Sequence, residues 1–139
     1  MNAAGIARSM LTLGTTVHDA YARTQSGGSR VGLDTFLQGF DVNKLGSTAT
    51  DLVHALTTAD LSAAIAEVDA KQAALLRGRD MSALSVEELT QYSALSRFRL
   101  VLTTQNLRDA MTPKFLNWLV DDALPTLVQI APVVIPLLL

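Results

Sequence analysis

Two histidines, His18 and His54, and two adjacent acidic pairs, Glu87-Glu88 and Asp121-Asp122, are the side chains of this 139-residue chain best suited to chemistry. Paired carboxylates can divide acid and base roles, and clustered histidines can hold zinc. Neither pattern develops here. Each histidine falls on a helical stretch with no second histidine three or four residues away, and the two lie far apart in sequence. His18 next to Asp19 is not expected to pair, because adjacent helical residues point in different directions. Glu87-Glu88 falls in a first helical turn, where acids complement the helix dipole. Asp121-Asp122 is less ordinary, since it precedes the most apolar part of the chain. It reads as a solvated corner before Pro125, with two alternatives: a partner for Arg97, Arg99 or Arg108, or a pH-sensitive trigger for insertion.

No other motif supplies chemistry. The chain has no cysteine, which excludes disulfides and thiolate metal sites. Gly27-Gly28 and Gly78 are not followed by the residues of a phosphate loop, and no nucleophile-elbow serine occurs. With a net charge of −2 and eleven scattered Lys and Arg, there is no basic face for nucleic acid. Arg97 and Arg99 diverge around a helix and are expected to serve separate contacts. Trp118 near Lys114 fits a core ring, a cation–π pair or a membrane-interface anchor. The sequence therefore indicates no catalytic residue, no cofactor and no metal site.

The composition is 49% hydrophobic, with 5% aromatic and 17% charged residues. This composition favours an ordered, all-α fold. Asn2 can cap a first helix to about Gln25, with Ile6, Met10, Leu13, Val17 and Ala20 spaced as an amphipathic seam. Ser26-Gly27-Gly28-Ser29 breaks the chain. A short piece follows with Asp34 as cap and Leu33, Phe36, Leu37 and Phe40 as its apolar side. Ser47 or Thr48 opens a helix that turns Leu52, Val53 and Leu56 inward.

Asp60 is the expected cap of a helix over Leu61–Arg77, whose seam is Leu61, Ile65, Val68, Gln72 and Leu75. Ser85 and Glu88 form a capping box for a helix running to about Met111. These two helices, joined across Gly78–Leu84, predict a central antiparallel hairpin. Thr112-Pro113 caps and starts the next helix, and Pro125, Pro132 and Pro136 are expected to cut the remaining tail into short pieces. Ala20-Tyr21-Ala22 has the form of a cleavage site, but no basic segment precedes it and polar residues interrupt the stretch, so it does not read as a signal peptide. Location stays open between cytoplasmic, exported without a cleaved signal, and membrane-associated.

After Asp122 no charged residue occurs. The seventeen residues of Ala123–Leu139 fall short of the about twenty that span a bilayer, and three prolines weaken them further. Packing against helices, its own or a neighbour's, is favoured over a membrane span or an interfacial insertion. The segment from Asp80-Met81-Ser82-Ala83-Leu84 through Leu89-Thr90-Gln91-Tyr92-Ser93-Ala94-Leu95-Ser96-Arg97-Phe98 resembles the helical hairpin of type III secretion needle and inner-rod subunits. The resemblance covers about a third of the chain, and those subunits end soon after that helix.

The expectation is a single all-α domain over 1–139, a bundle of about five helices with a long central hairpin and a proline-broken apolar C-terminal tail. It divides into an N-terminal helix (1–25), a loop and short helix (26–46), a helical core (47–111) and an apolar segment (112–139). The function it suggests is a non-catalytic assembly or scaffold subunit, a homo-oligomer or part of a larger assembly. Phe115, Trp118, Leu119, Leu127, Ile130, Val134 and Leu138 are its interaction residues. The alternative is a membrane-associated or pore-forming protein that puts its C-terminal segment into lipid. A small-ligand binder with an apolar pocket is a third class.

Overall fold

A computed structural model describes residues 1–26, 31–104 and 111–139. The Gly27-Gly28-Ser29 break, Arg108 and residues 105–110 lie outside the described residues. Among those described there is no strand, and the architecture is the expected all-α bundle. Its α-helices are α1 (Ala3–Ser26), α2 (Leu33–Gln38), α3 (Ser47–Thr57), α4 (Ala59–Leu76), α5 (Val86–Leu102), α6 (Pro113–Trp118) and α7 (Leu124–Leu138). A π-helical turn, Leu119–Ala123, joins the last two.

The seam of α1 is buried at Ile6, Met10, Leu13 and Val17, and α1 makes its most extensive pairing with α7. Gly14 permits that approach. A Cβ there would stand 3.0 Å from Leu124 Cδ1, tighter than a packed interior normally allows, and in ordinary contact with Leu119 Cγ at 3.6 Å. The Asn2 side chain accepts from the Gly5 amide at 2.8 Å, as expected of a cap. α1 has no acid in its own first turn, and α4 supplies one: Glu67 Oε2 accepts from the Ala3 amide at 2.8 Å. The Met1 ammonium meets Asp60 at 3.0 Å.

Asp60 also marks one difference from expectation. Asp60 does not cap α4; Thr58 does, its hydroxyl accepting from the Asp60 amide at 3.3 Å. In Thr58-Ala59-Asp60 both polar residues suit a cap, and the extended backbone falls at Thr58. Similarly α2 starts after Gly32, with Asp34 in its first turn instead of at its cap. Leu37 is buried, and Phe36 stacks between Tyr21 and Phe40 with ring centroids 5.4 and 5.5 Å away. The Tyr21 hydroxyl donates to the Val31 carbonyl at 3.0 Å, tying α1 to the approach to α2.

The hairpin forms as expected. Arg79 pairs with Glu88 at 2.9 Å, Gln72 donates to the Tyr92 carbonyl and the Ser96 hydroxyl at 3.2 and 2.7 Å, and Arg99 meets Asp69 at 2.7 Å. Partner numbers rise on one helix as they fall on the other, so the helices are antiparallel. Gln72 is buried and satisfied within the seam, a polar stitch that fixes register. Both halves of the Ser85–Glu88 capping box are present. α5, however, ends at Leu102 and does not run on to Met111. Thr103 and Thr104 turn their hydroxyls back to the Arg99 and Leu100 carbonyls, each at 3.0 Å. Such hydroxyls compete with the helix ladder for those carbonyls.

Candidate functional site

The C-terminal segment begins as its sequence indicates. Thr112 accepts from the Phe115 amide at 3.2 Å and Pro113 takes the first helical position. The three later prolines do not cut the segment into short pieces. Pro113–Leu138 is a helical course of 26 residues, proline-broken in its hydrogen bonding as expected, with helical backbone continuing through the prolines. The π turn explains how it passes Pro125. A proline ring clashes with the carbonyl four residues back, and one extra residue per turn shifts the bonding so that the Leu124 amide reaches Leu119. Pro125, Pro132 and Pro136 are all exposed. Spaced by seven and four, they share one face, so the carbonyls that lose a helix donor lie on the wet side, where water can bond them.

The opposite face is core. Phe115, Leu119, Leu127, Ile130, Val134 and Leu138 are buried within the chain itself. Trp118 is half-buried, its ring 5.8 Å from that of Phe115. Of the seven expected interaction residues, those on α7 pack against α1 and α5 of the same chain, Leu119 faces α1 from the π turn, and α6, which carries Phe115 and Trp118, packs against α2. α5 and α7 run antiparallel, with Arg97 Nη2 donating to Gln129 Oε1 at 2.8 Å. A groove of about 440 Å³ lined by Glu87 and Leu137 marks one end of their contact, and one of about 190 Å³ lined by Thr104 and Asp122 the other.

Asp121 and Asp122 are exposed on the π turn. Asp122 shares a groove with Arg97, yet the Arg97 guanidinium goes to Gln129 and that of Arg99 to Asp69. Asp69 holds the Arg99 guanidinium above its usual pKa, first by the hydrogen bond and then by its charge. Asp121 lines a solvent-open groove of about 560 Å³ between α1, α2 and α7 with His18, Tyr21 and Leu33. His18 and His54 are exposed and apart. Contrary to expectation, His18 Nδ1 and Asp19 Oδ1 come within 3.6 Å, because rotation about two exposed side chains closes a gap that the backbone directions open. Among the described residues no group of three or more His, Asp or Glu is placed to hold a metal ion, and every buried side-chain polar atom has a partner.

What the burial leaves uncovered is a second surface. Val86 is 82% exposed, Leu100 70% and Leu89 37%, all on α5. With Ser93 and Ser96 they are spaced 3, 4, 3, 4. Serines at two of five positions conceal this seam in the sequence, and only its spacing could have revealed it. The fold is a helical bundle whose described surface carries shallow, solvent-open grooves. Comparison with protein-family models, with curated proteins and with solved structures finds no match.

Proposed function

We propose that the protein is a non-catalytic helical assembly subunit that acts through helix packing, with its apolar C-terminal segment as the internal support of the packing faces. The observation that carries this reading is the division of apolar surface. The C-terminal helix is committed to the chain's own core, while Val86 and Leu100 stay largely in water on a helix held rigidly by its neighbours. Val86, Leu89 and Leu100 lie along the outer face of a helix whose other face is core, and that face is the surface the reading assigns to contact. The test is the mass of the intact chain by light scattering, without detergent, over a concentration series. A defined multiple of 14.9 kDa is expected; a chain that stays at that mass throughout overturns the reading.

A second reading, insertion into lipid, draws on the length and apolar composition of Pro113–Leu138, which suffice for a membrane span. Lys114, Asp121 and Asp122 and the carbonyls left without donors by Pro132 and Pro136 weigh against it, because unsatisfied backbone in hydrocarbon costs several kcal/mol per group, about 2–7. Flotation with liposomes between pH 5 and 7.5 decides, and protein that stays at the bottom of the gradient removes this reading.

A further inference from the structure

We propose that the groove between the start of α5 and the end of α7 is a binding site for a small primary amine with an aliphatic body. The groove lies within one chain, so the inference goes beyond the assembly reading and does not depend on it. Its volume, about 440 Å³, falls within the about 300–1,000 Å³ of small-molecule sites. Glu87 and Gln91 line it from α5, and Pro132, Val133, Pro136 and Leu137 from α7. One wall is therefore polar and the other apolar. A molecule that covers both needs a polar head and an apolar body.

The acceptors in the groove select the head group. The carbonyl of a helical residue points toward the residue four places on. The Pro132 carbonyl thus lies between Pro132 and Pro136, both exposed and both lining the groove. Pro136 has no N–H to give it. On the α5 wall stands the Glu87 carboxylate. The helix dipole accounts for an acid in that first turn, yet among the described residues no cation of the chain pairs with it. Gln91, one turn on, adds a side-chain amide oxygen that no hydrogen bond occupies among the described residues. A primary ammonium brings several N–H donors and a positive charge to these acceptors, and no basic side chain lines the groove to compete. Other ions fit less well. A hard metal ion takes about six to eight oxygens, a quaternary ammonium has no donor and finds no aromatic face here, and an anion would meet Glu87.

Octylammonium, titrated into the intact chain below its aggregation concentration and followed by backbone amide chemical shifts, tests the site. Saturable binding is expected, with the shifts centred on Gln91, Val133 and Leu137. Octanol keeps the aliphatic chain without the charge, and octanoate reverses the charge; each should bind about tenfold or more weakly. Glu87→Gln removes the carboxylate's charge and no contact within the described chain. It should weaken the amine about tenfold and leave octanol unchanged. Pro136→Val keeps an apolar side chain and supplies the missing N–H to the Pro132 carbonyl, so it should weaken the amine severalfold, again with octanol unchanged. Octanol binding as tightly as octylammonium, or shifts centred on another surface, overturns the site. Amine binding that neither substitution weakens overturns it as well.

Discussion

Between Pro113 and Leu138 the chain is held almost wholly by apolar burial, and its hydrogen-bond ladder is missing donors at Pro132 and Pro136. Between Ala59 and Leu102 the hairpin adds to its buried Val68, Leu95 and Phe98 a complete capping box, a buried glutamine bridging two helices and two ion pairs. One region can tolerate incomplete bonding because its inner face is all core. The other can keep Val86 and Leu100 in water because polar contacts already fix its register. The difference separates an element held by burial alone from one that adds polar contacts to its burial.

Substitutions in the two regions should therefore differ in kind. Phe115→Ala removes a fully buried ring and should cost about 3–5 kcal/mol of stability, read by chemical denaturation; a cost near that of a surface change would mean the C-terminal helix does not carry the core. Pro132→Ala should go the other way. It restores a donor on an exposed face and removes no buried contact, for a gain of about 1–2 kcal/mol in thermal unfolding after the lost rigidity of the unfolded chain is subtracted. A loss instead would show that the proline ring itself is a contact.

In the hairpin, Ser85→Ala opens the capping box and should cost about 1 kcal/mol without altering the C-terminal helix. Hydrogen exchange should localise the change to the first turns of α5. The smallest effect is electrostatic. The Ser85 amide, then Arg79, hold the Glu88 carboxyl below the usual glutamate range. A lowered folded-state pKa adds stability that is complete above the unfolded value, about 4.3, and is lost as the pH falls through the folded one. Wild-type protein should lose melting temperature in that acid window, and Glu88→Gln should flatten that part of the profile. Equal slopes for the two proteins would show that the contact does not form in solution.

The all-α class, the capping box, the Thr112-Pro113 start and the Gln72 stitch were legible in the sequence because each depends on a few neighbouring residues or on helical spacing. The ends of α5 and α2 were not, since competing hydroxyls at Thr103 and Thr104 and a choice between Gly32 and Asp34 are settled by the surroundings. That the apolar C-terminal segment needs a cover was legible, but what covers it was not. Periodicity shows which side of a helix must be covered, and it carries no information on whether the cover comes from the same chain. Gly14 against Leu124, which lets α1 lie close on α7, joins residues far apart in sequence, and only the assembled bundle brings them together. Sequence determined the faces, through local spacing and capping. Tertiary structure decided which face is spent inside and which remains on the surface, because burial is a property of the whole packing and not of any one segment.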